Sequence, residues 1–140
     1  MSKMDSQNDK MINEFLDKKN VFAVVGVSRD IEKYGNKVYA DLKKRGYKVY
    51  PINPKVSKIF GDKCYSKLEN LPERPDVVDL VVPSDITNEI VKECNKLNVN
   101  KIWMQPGSES KKSISYCKRN KIKVLHDVCI MIEGDKKWEE

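Results

Sequence analysis

Histidine is nearly absent from this chain and cysteine is scarce: the 140 residues hold one histidine, His126, and four cysteines. Cys64, Cys94, Cys117 and Cys129 are scattered, with no CxxC pair and no histidine at metal-ligand spacing, which argues against a zinc site or a disulfide framework. They are expected to be free thiols, buried or half-buried, with Cys129 read as buried and inert. No run of about 18 apolar residues exists to cross a membrane. The opening segment, Met1 to Lys10, is polar and lacks the apolar stretch of an export signal, so a cytoplasmic protein is expected. A G-x-G-x-x-G fingerprint is missing too.

What the chain does have is lysine. Lys and Arg number 27 against 21 Asp and Glu, a formal net charge of +6, with a pI near 9.0. That balance suits either a nucleic acid or a polyphosphate ligand. The lysines are spread along every segment, without a dense basic run or interleaved aromatics, so nucleic acid is not the expected partner. A lysine-rich composition decorating solvated faces explains the charge equally well. With 39% hydrophobic residues, the length fits one domain, residues 1–140, that buries roughly two-thirds of its unfolded surface.

Periodicity predicts strands alternating with helices. Met11, Ile12, Phe15 and Leu16 fall at helical spacing, and the apolar run Val21 to Val25 reads as a first strand covered on both faces. After Gly26 and a polar loop, a helix is predicted from about Gly35 to Arg45, closed by Gly46. Tyr47 to Ile52 is a second strand, stopped at Asn53-Pro54. A turn with a short edge strand is expected around Gly61-Asp62, and Ser66 is expected to cap a short helix through Leu71. Val77 to Val82 is a third long strand. Ser84 is expected to cap the helix carrying Ile86, Ile90, Val91, Cys94 and Leu97. Lys101 to Met104 and Lys123 to His126 are the last strands, with a helix from Ser108 or Ser110 between them. The tail, Asp135 to Glu140, and the first few residues look loosely held. Such an α/β alternation predicts a Rossmann-like open parallel sheet of about five strands with helices on both faces.

Ligands of open α/β sheets sit beyond the carboxyl ends of the strands, at the point where strand order reverses. Small residues, prolines and amides dominate those ends here, and paired carboxylates, a Ser-His-Asp set and a Cys-His pair are missing, so no catalytic or metal-binding residue is predicted. Gly26 lets a backbone approach a ligand, Ser28 offers a hydroxyl, and a helix opening at Gly35 turns its positive end inward, with Lys33 or Arg29 as countercharge. A tight strand-to-helix turn reads the same. Asn53-Pro54-Lys55 stands where NAD-binding folds commonly have an acid for the ribose. It suits an adenine beside a phosphorylated ribose, or is simply a turn initiator.

The ordered stretches Val24-Val25-Gly26-Val27-Ser28, Lys33-Tyr34-Gly35-Asn36, Gly46-Tyr47-Lys48-Val49-Tyr50-Pro51-Ile52-Asn53-Pro54, Val82-Pro83, Trp103-Met104-Gln105-Pro106-Gly107 and Cys129-Ile130-Met131-Ile132-Glu133 resemble a known family. It comprises small CoA-binding proteins similar to the N-terminal domain of the succinyl-CoA synthetase alpha subunit. The match runs from about Val21 to Glu133. Val27 departs from a common alanine, and Ser84 from a second proline. The resemblance implies coenzyme A as ligand, with its pyrophosphate over Gly26, Ser28 and the Lys33-Tyr34-Gly35 helix start. Ile52, Asn53, Pro54 and Lys55 would border the adenosine, Val82, Pro83 and Ser84 the opposite wall, and Gln105 the pantetheine. It implies a small-molecule ligand, CoA or an acyl-CoA, and a module without turnover of its own. The alternatives are an NAD(P)-binding oxidoreductase, which would need an acid or base beside the nicotinamide, a basic nucleic-acid-binding accessory protein, and an enzyme acting on a CoA thioester through Cys129. The oligomeric state stays open.

Overall fold

Alternation along the first strand decides the architecture. In the computed structural model, which describes residues 3–138, Phe22 and Val24 point into one apolar cluster while Ala23 and Val25 point into another. A strand buried on both faces needs helices on both sides, and the chain supplies them. Its order is α1 (Lys3–Phe15), β1 (Val21–Val25), α2 (Tyr34–Lys44), β2 (Lys48–Ile52), β3 (Lys58–Ile59), β4 (Asp62–Lys63), a single 3-10 turn (Leu68–Asn70), β5 (Val77–Leu80), α3 (Ser84–Lys96), β6 (Lys101–Met104), α4 (Lys111–Arg119), β7 (Lys123–Leu125) and α5 (Ile130–Trp138).

Five strands form one parallel sheet in the order β2-β1-β5-β6-β7, with Val21 opposite Lys48 and Phe22 opposite Val77. The chain steps outward from β1 to β2, then returns to the other side of β1 for β5. Strand order therefore reverses between β1 and β5, which opens a crevice beyond their carboxyl ends. Helices α1, α2 and α5 cover one face, through Phe15, Leu42 and Ile130. Helices α3 and α4 cover the other, through Ile90, Val91 and Cys117. The predicted fold class is the one found.

Several local expectations are corrected. Gly61 turns not one edge strand but an antiparallel pair, β3 and β4, outside the main sheet. Ser84 does not cap α3: Pro83 occupies the N-cap, its carbonyl accepting the Ile86 and Thr87 N–H groups at 3.0 and 3.1 Å. Ser66 does not cap the 3-10 turn either, because its hydroxyl donates to Asn70 Oδ1 at 2.9 Å. Of the two candidates for α4, Ser110 is the cap, paired with Ser113 in a capping box. The tail is helical to Trp138, whose indole donates to the Tyr47 hydroxyl at 2.7 Å beneath Lys18, while Asp135 pairs with Arg45. Of the segments expected to be loose, Met1, Ser2, Glu139 and Glu140 lie outside the described residues.

Candidate functional site

Backbone geometry at the end of β1 admits only glycine. Gly26 has φ +99°, and a methyl group there would meet the Val81 carbonyl oxygen at 2.2 Å. A methyl on Gly35 would meet the Gly26 carbonyl oxygen at 2.1 Å. The two glycines thus let α2 press its first turn, which carries the helix's free N–H groups and positive end, against the end of β1. Between them the loop is held by side chains: Asn36 donates to the Ser28 carbonyl at 2.8 Å, and Ser28 Oγ accepts the Asp30 N–H at 3.0 Å. Lys33 is the exposed N-cap residue of α2.

Across the crevice, Asn53 Nδ2 donates to the Val27 carbonyl at 2.8 Å and Asn53 Oδ1 accepts the Lys55 N–H at 2.9 Å. That amide ties the end of β2 to the β1 loop, a structural job the sequence did not reveal. Between β1, β2 and β5 lies a cleft of about 550 Å³, within the usual range for small-molecule sites. Of the residues expected at the site, Gly26, Ile52, Asn53, Pro54, Lys55, Val82 and Pro83 line it. Sequence reasoning missed Lys67 and Leu68 from the 3-10 segment and Ile86, Ile90 and Glu93 from α3. Ile86 and Ile90 share α3 with the buried Val91 and Cys94, yet Ile86 is 44% exposed. A larger, more polar depression of about 710 Å³ lies beside it, sharing Pro54, Lys55 and Ser66. It leans on the β3-β4 hairpin rather than on the reversal point, and carries less of the apolar surface a ring needs.

The remaining predicted residues sit around the cleft without lining it. Ser28, Lys33, Tyr34 and Gly35 form the neighbouring loop and first turn of α2, and Ser84 opens α3. Gln105 is fully buried, with both ends of its amide engaged by protein. Its Nε2 donates to Asp79 Oδ1 at 2.6 Å, and its Oε1 accepts the Ile130 N–H at 3.1 Å and the Tyr34 hydroxyl at 3.2 Å. Asp79 was hidden in a strand read as almost wholly apolar. Burial, partly opposed by the Gln105 hydrogen bond, pushes its carboxyl up to about 7. Cys129, expected to be buried, is half-buried beside Tyr34. No cluster of metal-ligating side chains occurs among the described residues, and no described helix is long and apolar enough to cross a membrane.

Comparison with known proteins adds a family to this geometry. A family model described as a CoA binding domain matches residues 20–135. The chain is similar to an ADP-forming acetate–CoA ligase of Archaeoglobus fulgidus, 38% identical over 74 residues, 51% of this chain and 11% of the ligase. It is also similar to an uncharacterized Bacillus subtilis protein, 24% identical, covering 92% of this chain and 96% of that one. A solved structure, a hypothetical protein from Pyrococcus horikoshii, superposes with a TM-score of 0.89 at 29% identity, covering 97% of this chain and 96% of the other. The chain spans about a tenth of the length of the ligase it matches.

Proposed function

We propose, from the premise that this chain belongs to the CoA-binding domain family, that it binds coenzyme A or an acyl-CoA at the β1-β5 reversal point. It acts there as a cofactor-holding module rather than as an enzyme. The observation that carries this reading is an apolar cleft between the proline-marked ends of β2 and β5, lined by Gly26, against which the first turn of α2 packs. Ile52, Pro54, Val82, Pro83, Ile86 and Ile90 give apolar walls suited to an adenine ring. The loop from Gly26 to Gly35 offers the pyrophosphate backbone N–H groups and the positive end of α2. On this reading the pantetheine arm would run past Tyr34, whose hydroxyl donates to Gln105 Oε1, toward α5. An NAD ribose would lack its usual acid: Asn53 follows β2, and among the described residues the carboxylate lining the cleft, Glu93, comes from α3.

The head of CoA differs from other adenine nucleotides in its ribose 3′-phosphate, and two exposed lysines, Lys55 and Lys67, edge this cleft. A lysine on a phosphate is worth about 1.5 to 3 kcal/mol as a charge-assisted hydrogen bond, less screening by salt. Titration calorimetry at low salt should therefore show dephospho-CoA binding roughly tenfold or more weakly than CoA. The difference should shrink as salt rises, and shrink again in Lys55→Ala or Lys67→Ala. Equal binding of the two ligands by wild type would put the 3′-phosphate in solvent and leave both lysines as surface decoration.

A further inference from the structure

Three of the four cysteines are closed off. Cys64, Cys94 and Cys117 are buried, and burial holds each as a thiol, Cys117 with its ionisation pushed up to about 11. Cys129 differs in place and company. Its carbonyl accepts the Glu133 N–H at 3.0 Å, so this half-buried residue opens α5 and stands at the amino end of that helix. The Tyr34 hydroxyl lies 2.7 Å from Sγ. A chain of contacts continues inward from Tyr34 through Gln105 to Asp79, whose Oδ2 is wholly buried and has no partner among the described residues. Asp79 is near enough for its charge to be felt at the Tyr34 hydroxyl. An unpaired buried carboxyl oxygen is satisfied by its own proton or by a donor arriving with a ligand, and the pantetheine arm carries amide N–H groups as well as its sulfur.

Counting protons shows what the arrangement does for the sulfur. Tyr34 has one hydroxyl hydrogen and two acceptors in reach, Gln105 Oε1 and Cys129 Sγ. With Cys129 as a thiol, its S–H donates to the Tyr34 oxygen and the Tyr34 O–H donates to Gln105. With Cys129 as a thiolate, the Tyr34 O–H turns to the sulfur. Tyr34 stays protonated throughout, since burial and then the Cys129 contact raise its ionisation well above the ordinary phenol range. Thiolates are the nucleophiles of disulfide exchange.

We propose that Cys129 is a thiol–disulfide exchange site for the pantetheine end of CoA, charged by the disulfide of CoA itself. The proposal rests on the CoA reading above, which lays the cofactor along the loop that Tyr34 closes. In the step, Cys129 Sγ attacks one sulfur of CoA disulfide and forms a new S–S bond as the old one breaks. The departing CoA thiolate takes up the proton that Cys129 released. Cys129 is oxidised, one CoA is reduced, and the disulfide is the only oxidant needed.

Intact-mass measurement of the reduced, desalted full chain after incubation with CoA disulfide tests this, with calorimetry of reduced CoA under reductant run beside it. The expected result is one CoA per chain, mapped to the Cys129 peptide, removed by dithiothreitol and absent from Cys129→Ser. It should form at least about tenfold faster than the adduct from glutathione disulfide at equal concentration, because binding holds the reacting sulfur near its target. Saturable binding of reduced CoA with no Cys129 adduct, or equal rates with both disulfides, overturns the proposal and leaves the CoA reading standing. Failure of both measurements removes both.

Discussion

Gly26→Ala is expected to lose both stability and ligand in one substitution. Its left-handed φ of +99° costs an L-residue about 1 to 3 kcal/mol. The added methyl also meets the Val81 carbonyl at 2.2 Å and Val82 Cγ1 at 2.9 Å. A strand-end carbonyl between two central strands has little room to yield, so the total should reach roughly 3 to 5 kcal/mol, with a melting temperature lower by about 10 °C or more. Any protein that remains folded should bind CoA at least about a hundredfold more weakly, some 2.7 kcal/mol, because the displaced loop no longer offers its N–H groups. Gly61→Ala is the control. Gly61 has φ +82° but nothing within 4 Å of an added methyl, so it should pay strain alone, about 1 kcal/mol, with CoA affinity intact. A Gly26→Ala protein that melts and binds like Gly61→Ala would show that the close approach of β1, β5 and α2 is not what shapes the site.

The second large effect is on the pH dependence of stability. Asp79 ionises near pH 3.9 when unfolded and is pushed up to about 7 in the folded protein by complete burial. Between these values the folded state keeps a proton that the unfolded state has lost. Stability should therefore fall as pH rises from about 4 to about 7, at up to about 1.4 kcal/mol per pH unit, and level off above. Carboxylates with the opposite behaviour, Asp62 and Glu73, are lowered chiefly by their lysine partners and act below this window. Urea titrations from pH 4.5 to 7.5 should show a loss on the order of 3 kcal/mol in wild type and a much flatter profile in Asp79→Asn. Parallel profiles would mean that Asp79 is ionised in the folded state and satisfied by some other group.

Asp79 also marks where the sequence was opaque. One acid in Val77-Val78-Asp79-Leu80 does not disturb an apolar average, and only the fold brings Gln105 from the next strand beneath it. By contrast, Gly26 and Pro83 were legible because each changes the backbone itself, one by its freedom and the other by its missing N–H. The strands were legible for a similar reason: a sheet covered on both faces leaves unbroken apolar runs. Helix ends were harder. Ser66 and Ser84 have good capping chemistry, but the Pro83 carbonyl and an Asn70 contact take the places assigned to them. The second half of the cleft wall was hidden as well, since Ile86 and Ile90 fit a helical core stripe and nothing local tells that part of the stripe overhangs the crevice. Cys129 and Tyr34 are 95 residues apart in the chain, so their contact exists only in the folded molecule.

Competition calorimetry among CoA, NAD and NADP on the ligand-free protein tests the central claim most directly. With Asn53 in place of an acid at the end of β2, proline-lined walls and lysines at the rim, CoA should bind at least about tenfold more tightly than either dinucleotide, a difference of some 1.4 kcal/mol or more. Equal or tighter binding of NAD or NADP would contradict the account.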